Sequence, residues 1–203
     1  MDLHPVTYAI KEIFKTVQGE GFHAGRSAWF VRFAGCNLWS GREEDRAKAV
    51  CKFCDTEFIG GGRLTIDGIQ SQMMRYDDAA KFVVFTGGEP LLQLDAPLIA
   101  SFRRLGWEIA VETNGTIKPP DGISWLCVSP KHGSEWIVRE GDELKVVLPQ
   151  AWGREELEAA SFRRYSVQPM DGDPDALRQC LAWVEREPKW RLSLQTHKWI
   201  GIR

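Results

Sequence analysis

The sequence has 203 residues, a formal net charge of −2 at pH 7 and 43% hydrophobic residues. These values predict one domain with a substantial core, and they give no electrostatic reason to expect nucleic acid or an anionic membrane as a partner. No run of roughly 18 apolar residues occurs, so no segment is predicted to span a bilayer. The start lacks the pattern of a signal peptide, and five cysteines, an odd number, argue against a secreted disulfide framework. We therefore expect a cytoplasmic protein with reduced thiols.

The first part of the chain predicts two strands and two helices. Residues 6–14 and 28–34 are rich in β-branched and aromatic residues, which is typical of strands. The glycines of TVQGEG, residues 16–21, indicate a loop between them. The charged segment 41–50 predicts a short exposed helix, and residues 66–76 show the apolar spacing of a second helix.

Short apolar strands later in the chain each end in a polar or glycine-containing signature. The five strands, each given with the motif that follows it, are 82–85 with TGGEP, 108–111 with ETNG, 125–128 with SPK, 164–167 with QPMDG and 191–194 with QTHK. In parallel α/β folds, ligands bind at the carboxyl ends of the strands. Loops are polar in general, but this repeated arrangement favours a binding site.

The connections between these strands contain few helices. Two apolar helix faces are evident, one formed by Leu98, Phe102 and Leu105 after Asp95 and Pro97, and one on residues 174–187 formed by Leu177, Cys180, Leu181 and Val184. Segments 113–123 and 129–142 are too irregular for crossover helices. A complete (β/α)8 barrel requires roughly 250 residues, so the chain predicts an α/β fold, an incomplete, helix-poor parallel barrel of about six strands.

Three cysteines, Cys36, Cys51 and Cys54, form a C-x14-C-x2-C pattern. Thiolates are soft ligands for zinc or iron–sulfur clusters, and closed sites of either kind normally use four protein ligands. Three cysteines therefore predict a cluster with one open iron, or a zinc ion completed by a histidine. Cys127 and Cys180 lie in apolar segments and are predicted to be small buried side chains.

The cysteine pattern followed by TGGEP resembles the radical S-adenosylmethionine enzymes, which usually space these cysteines C-x3-C-x2-C. The chain also contains QGEG (18–21), FAGCNLW (33–39), FCDT (53–56), ETNG, SPK and VQPMDG (167–172). Together with the long first gap, these motifs resemble the 7-carboxy-7-deazaguanine synthase family, which acts in 7-deazapurine (queuosine-type) biosynthesis. The resemblance runs from about residue 6 to the C-terminus. It implies a single domain, 1–203, with an inserted segment, 37–50, inside the cluster motif.

The resemblance implies a [4Fe–4S] cluster on the three cysteines, with an open iron that binds S-adenosylmethionine and a 5′-deoxyadenosyl radical formed by its cleavage. Residues implied to bind this cofactor are Phe53, Asp55, Gly88, Glu89, Ser129, Pro130, Lys131, Gln168, Pro169, Met170 and Asp171, with Thr113 and Asn114 as supporting contacts. Gly88 is expected to allow close backbone approach, and Glu89 is expected to accept from the methionine ammonium.

The implied reaction is a radical ring contraction of 6-carboxy-5,6,7,8-tetrahydropterin to 7-carboxy-7-deazaguanine. It is a carbon–nitrogen lyase reaction that releases ammonia and regenerates S-adenosylmethionine. Residues implied to bind the pterin are Val17, Gln18, Gly19, Glu20, Arg32, Thr86, His197 and the C-terminal Arg203. Glu20 is expected to accept from its guanidine-like edge, and Arg32 to pair with its carboxylate.

Arg32, His197 and the further candidate Thr56 have other interpretations from the sequence alone. Arg32 is also compatible with a strand-edge residue that reaches solvent, and His197 with a core histidine. Thr56 matches the position that binds Mg²⁺ in the family, where substrate and water would complete the coordination. Otherwise, the Thr56 hydroxyl would cap a turn.

Two other functions remain open at this point. An activating enzyme for a glycyl-radical protein would share the cysteines and TGGEP but would consume S-adenosylmethionine. A non-enzymatic zinc or iron–sulfur binding module would explain the cysteines alone. The resemblance further implies a homodimer and a flavodoxin- or ferredoxin-type electron donor, with no nucleic-acid or membrane partner.

Overall fold

The fold is built on one mixed β-sheet. A computed structural model describes residues 5–73 and 81–203 of the chain. The strands are β1 (Tyr8–Val17), β2 (Ser27–Phe33), β3 (Gly62–Leu64), β4 (Phe82–Gly87), β5 (Glu108–Thr113), β6 (Trp125–Val128), β7 (Glu140–Leu148), β8 (Ser161–Pro169) and β9 (Trp190–Leu192). Their order in the sheet is β3-β1-β2-β4-β5-β6-β7-β8-β9. Strands β2 and β4 to β9 are parallel, whereas β1 is antiparallel to both β2 and β3. The sheet is open, because its two edge strands, β3 and β9, do not pair with each other in the described part of the chain.

The helices are short and few. They are α1 (Ile66–Met73), α2 (Ala96–Arg104), α3 (Arg154–Glu158), α4 (Ala176–Arg186) and α5 (Thr196–Ile200), with 3₁₀ helices at Glu43–Lys48 and Pro90–Leu92. The links from β5 to β6 and from β6 to β7, both fully described, contain no helix. The predicted helix 66–76 ends at Met73 as far as the structure describes it, and residues 74–76 lie outside the described part. None of the helices in the described ranges has the length and apolar character needed to cross a membrane.

The sheet has an apolar outer face and a more polar inner face, because successive side chains of a strand point to opposite sides. The outer residues that pack with the helices in the main core include Val31, Phe33, Val83, Phe85, Ile109, Val111, Leu126, Val128, Leu144, Val146 and Val167. A smaller apolar cluster is formed by Ala28, Phe30, Phe82, Val84 and Ala110. The next residues along several of these strands, such as Arg32, Thr86 and Glu112, line a cavity instead.

The open, helix-poor sheet is confirmed, but it has nine strands where about six were predicted. The main omission was β7, whose first residues had been assigned to the irregular segment 129–142. Its sequence lacked an apolar run because Glu143 and Lys145 interrupt it. Both side chains are nevertheless buried, at 2% and 5% exposure, because they lie on the polar inner side.

The predicted apolar face of α4 was partly wrong. Leu177 and Leu181 are 40% and 42% exposed, and the fully buried residues of this helix are Ala176 and Cys180. The face of α4 that packs on the sheet also includes Trp183, whose ring centroid lies 5.5 Å from that of Trp190 on β9. The face that packs on the sheet is therefore centred on small residues beside this aromatic pair.

Two leucines provide a matched test of these assignments. Leu144 is completely buried on β7, whereas Leu177 is 40% exposed on α4. We expect Leu144→Ala to lower the free energy of unfolding by about 2–5 kcal/mol, because it leaves a cavity in the core. Leu177→Ala should change it by no more than about 0.5 kcal/mol. Urea unfolding of the metal-free protein measures both values, and equal losses would contradict the assigned strand and helix register.

Candidate active site

A cavity of about 340 Å³ lies on the inner face of the sheet, at the carboxyl ends of its parallel strands. This volume is within the range typical of small-molecule sites. All the site residues predicted from the sequence line this cavity, except Glu89 and Pro130. The structure therefore brings the implied cofactor and substrate residues together in one space.

Three cysteines contribute to one wall of the cavity. Cys36 follows β2, whereas Cys51 and Cys54 follow the Glu43–Lys48 3₁₀ helix, which confirms the predicted short helix and has no buried residue. The thiols of Cys51 and Cys54 hydrogen-bond each other, which lowers the pKa of Cys54 to about 6 and raises that of Cys51. A thiolate is the form that binds metal.

The donors on this wall fit an iron–sulfur cluster, because three thiols line one cavity and thiolates hold such clusters. The backbone beside Cys36 is also tightly packed, since a Cβ added to Gly88 would lie 2.2 Å from Gly35 O and 2.7 Å from Cys36 Cβ. The donor chemistry therefore matches the implied cluster, and the close packing explains why residue 88 is glycine.

Glu89 lies behind the cavity wall and joins two strand-end turns. Its fully buried carboxylate accepts hydrogen bonds from Leu91 N at 2.9 Å, Thr113 Oγ1 at 2.8 Å and Asn114 N at 2.7 Å. Burial raises the pKa of Glu89, although these hydrogen bonds oppose the rise. Its position ties the TGGEP turn after β4 to the ETNG turn after β5. Pro130, which also does not line the cavity, is likewise buried.

Lys131 and Ser129 face the cavity from the turn after β6. Lys131 Nζ donates to Ser129 O at 2.6 Å and to Ser129 Oγ at 2.8 Å. Burial lowers the pKa of Lys131, an effect that the nearby Cys51 thiol partly offsets. This ammonium group is therefore held at the cavity by its own turn. Phe53 and Thr56 line the cavity on either side of Cys54.

Glu20 forms a buried ion pair with Lys145 of β7, with side-chain exposures of 16% and 6%. Burial alone would raise the pKa of Glu20, but the charge of Lys145 and hydrogen bonds from Lys145 and Gln195 lower it to about 2. Burial would lower the pKa of Lys145, but the Glu20 and Glu112 carboxylates raise it. The pair therefore remains charged inside the fold.

Glu112, the last residue but one of β5, accepts two hydrogen bonds from predicted pterin-side residues. Gln18 Nε2 donates to it at 2.9 Å and Thr86 Oγ1 donates at 3.1 Å. Gln18 Oε1 in turn accepts from the backbone N–H of Glu20 at 3.1 Å. These contacts fix the loop after β1 against the end of the sheet.

Helix α5 packs on this same loop. The N–H and Oγ1 of Thr196 both donate to Gly19 O at 3.0 Å. His197 lies directly over Gly19, where an added Cβ would be 2.1 Å from His197 Nδ1. His197 is half-buried and lines the cavity, so it is not a core histidine.

Lys198 connects α5 to two loops of the site. Its Nζ contacts Asp55 Oδ2 at 2.5 Å and Asp171 Oδ2 at 2.7 Å. Gln195 Nε2 donates to Asp55 at 3.0 Å and to Glu20 at 2.9 Å. The cysteine loop, the loop after β8 and the loop after β1 thus meet at one helix.

Arg32 is an interior residue of the sheet and not a strand-edge residue, since β2 lies between β1 and β4. Its Nε donates to Glu12 Oε1 at 2.9 Å, and its side chain lines the cavity. The Arg203 guanidinium pairs with the same Glu12, and Thr16 Oγ1 donates to Arg203 O at 2.8 Å. The C-terminal residue therefore lies along β1 at the cavity.

Several polar cavity residues were not predicted, among them Glu112, Lys145, Gln195 and Lys198. Glu112 opens the ETNG signature, and Gln195 and Lys198 belong to QTHK, so their place at strand ends was a usable signal. Lys145 has no such motif. Its only signal in the sequence is a charge within a run of strand residues, and that signal has meaning only after β7 has been recognised as a strand.

Glu20→Gln tests the ion pair through its pH dependence. The folded pKa of Glu20, about 2, lies below the unfolded value of roughly 4.3, so its stabilisation is present above the unfolded value and is lost as pH falls toward the folded one. We expect the difference in unfolding free energy between wild type and Glu20→Gln to shrink between about pH 5 and pH 2, measured by urea unfolding of metal-free protein.

Glu44→Gln provides the control, because the Glu44 side chain is 74% exposed. The difference in unfolding free energy between Glu44→Gln and wild type should remain small throughout this pH range. A constant difference for Glu20→Gln would contradict a buried, charged pair.

Comparisons with known proteins agree along nearly the whole chain. The chain is 54% identical to 7-carboxy-7-deazaguanine synthase of Bradyrhizobium diazoefficiens, over 98% of this chain and 100% of that protein. It is 51% identical to 7-carboxy-7-deazaguanine synthase of Burkholderia multivorans, over 97% and 100%. The crystal structure of QueE from Escherichia coli matches the fold with a TM-score of 0.74 and 26% identity, over 93% of each chain. No protein-family model matches the chain.

Sequence identity exceeds one half over 97–98% of the chain, and the solved structure has the same architecture over 93% of it. The chain belongs to the 7-carboxy-7-deazaguanine synthase family.

Proposed function

We infer that the protein catalyses the radical ring contraction of 6-carboxy-5,6,7,8-tetrahydropterin to 7-carboxy-7-deazaguanine in queuosine-type biosynthesis. The observation that carries this inference is one cavity lined both by the three cysteines and by the loop from Gln18 to Glu20, in a chain of this family. Substrate and product differ by one molecule of ammonia. The overall reaction therefore balances without a net oxidant or reductant.

The proposed cofactors are a [4Fe–4S] cluster held by Cys36, Cys51 and Cys54, and S-adenosylmethionine. When bound, they supply a radical that abstracts hydrogen from the substrate. Support comes from the three thiols, which line one cavity together with Gly88.

The proposed S-adenosylmethionine side of the cavity extends from the cysteine loop to β8. Lys131, held by Ser129, would pair with the methionine carboxylate. Asp55 and Phe53 would contact the cofactor beside Cys54, and residues 168–171 would border its adenosine. Glu89 serves this site indirectly in our proposal, because its hydrogen bonds set the turns that carry Gly88 and Asn114.

The proposed pterin side is the loop after β1. Gln18 and the backbone of Val17 and Gly19 would orient the ring, while Glu20 would accept from its guanidine-like edge. The low pKa of Glu20 supports this role, because an ionised carboxylate accepts hydrogen bonds without competing as a donor. Glu112, fixed between Gln18 and Thr86, adds a second acceptor on the same side.

The substrate carboxylate requires cationic partners. We assign Arg32 to it, because a guanidinium binds a carboxylate through parallel hydrogen bonds. Thr56 is proposed to bind Mg²⁺ together with the substrate and water, since magnesium keeps several water ligands. His197 and Arg203 are proposed to complete this end of the cavity, which both residues line.

The remaining expectations also stand as proposals. They are one domain over residues 1–203, a homodimer, a flavodoxin- or ferredoxin-type electron donor, no nucleic-acid or membrane partner, and a cytoplasmic location in which thiols stay reduced.

Anaerobic turnover tests the function. Reconstituted protein is supplied with S-adenosylmethionine, a reductant, Mg²⁺ and 6-carboxytetrahydropterin, and the products are identified by mass spectrometry. We expect 7-carboxy-7-deazaguanine without matching accumulation of 5′-deoxyadenosine. Cleavage of S-adenosylmethionine without any deazaguanine would reject the substrate and favour an activating enzyme.

Arg32→Met tests the substrate carboxylate assignment. Loss of a hydrogen bond to a charged group costs about 1.5–3 kcal/mol, so we expect KM for the pterin to rise about 10- to 100-fold. The matched control is Arg26→Met, because Arg26 pairs with Glu108 and does not line the cavity. Steady-state kinetics with both variants should separate them, and equal KM values for the two would remove Arg32 from the substrate site.

A further inference from the structure

The inserted segment between the first two cysteines carries one side chain that turns back toward them. Arg46 belongs to the exposed Glu43–Lys48 3₁₀ helix, yet its own side chain is only 29% exposed. Its Nη1 donates to Lys52 O at 3.0 Å and to Cys54 O at 3.1 Å. Both carbonyls belong to the turn that joins Cys51 to Cys54.

The guanidinium of Arg46 is itself held on two further sides. Its Nε donates to both carboxylate oxygens of Glu43 at 2.8 Å. Its Cζ lies 4.1 Å above the ring of Trp39, which is 8% exposed. Trp39 packs edge-on against the fully buried Phe58, with ring centroids 5.6 Å apart. An unbroken series of contacts therefore links the core to the cysteine turn through Arg46.

We propose that Arg46 is a positioning residue that holds the Cys51–Cys54 turn in its cluster-binding shape and raises the reduction potential of the bound cluster. This inference rests on the proposed function only in requiring an iron–sulfur cluster on Cys36, Cys51 and Cys54. It assigns the inserted segment a role beyond spanning the gap between cysteines.

The positioning effect follows from the geometry of the guanidinium. Arginine presents several N–H donors in one rigid plane, so it can bind two carbonyls, a carboxylate and an aromatic face together. A lysine at this position keeps the charge, but its point-like ammonium cannot make the same set of bonds. Groups that orient metal ligands typically contribute about 10- to 100-fold to metal affinity.

The effect on potential follows from charge. Net charge and hydrogen bonding around an iron–sulfur cluster set its reduction potential. Reduction adds negative charge, which a nearby cation stabilises. Glu43 also pairs with Arg46, but its side chain is 78% exposed and water screens it, whereas Arg46 is largely covered. Removing Arg46 should therefore make the cluster harder to reduce.

Three variants separate these effects. Arg46→Met removes both the planar set of N–H donors and the positive charge, whereas Arg46→Lys keeps only the charge. Arg42→Met is the matched control in the same segment, because Arg42 is 71% exposed and its ion pair with Glu44 is long, at 3.8 Å. Each protein is reconstituted anaerobically, and its iron and sulfide content is measured.

Two readouts besides turnover decide the inference. Cluster loss to an iron chelator should be about 10-fold faster or more in Arg46→Met and Arg46→Lys than in wild type. The midpoint potential from redox titration followed by electron paramagnetic resonance should fall in Arg46→Met and stay near wild type in Arg46→Lys. Arg42→Met should match wild type in both. A general loss of stability would not lower the midpoint potential in Arg46→Met while leaving it unchanged in Arg46→Lys.

Wild-type loss rates and potentials in both Arg46 variants would overturn the inference while leaving the proposed function intact. If Arg46→Met does not fold, Arg46→Lys decides through its chelator rate, and a wild-type rate there rejects the positioning role. A wild-type protein that takes up no iron–sulfur cluster would reject this inference together with the proposed function.

Discussion

Alternation of side chains lets each strand contribute both to the core and to the site. On β7, Leu144 and Val146 pack in the apolar core, while Glu143 and Lys145, which alternate with them, face inward. A buried charge is costly unless it is paired, and Lys145 finds its partner in Glu20 from the loop after β1. The position of that loop, and with it the polar side of the cavity, therefore depends on a strand across the sheet.

The strand-end turns are likewise fixed by one another. Glu89 joins the turns after β4 and β5, and Asn114 Nδ2 donates to Asn37 Oδ1 at 2.9 Å, directly beside Cys36. The first cysteine is thus held through the ends of two strands, whereas the turn of the other two bonds to Arg46 of the inserted segment. Both supports involve the inserted segment, because Asn37 belongs to it as well.

Much of this arrangement was predictable from sequence, because strand ends and cysteine spacing are local patterns. TGGEP, ETNG and QTHK identified the right edge of the sheet before its strand order was known. Strand β7 was missed, because the charge of Lys145 is explained only by Glu20, which is distant in sequence. The motif of Glu89 correctly placed it at a strand end, but the motif could not predict the direction of its side chain. Only the fold shows that the carboxylate bonds to the turns behind the cavity. Long-range pairing, unlike local pattern, has no signature along the chain.

Lys198 has a consequence for the kind of molecule that can react here. By bonding Asp55 and Asp171 it links α5 to loops from opposite parts of the chain beside a cavity of about 340 Å³. A free heterocycle fits a cavity of that volume, which lies in the range of small-molecule sites. The ion pairs of Lys198 thus hold two loops and a helix together beside a space of the size that an isolated ring requires.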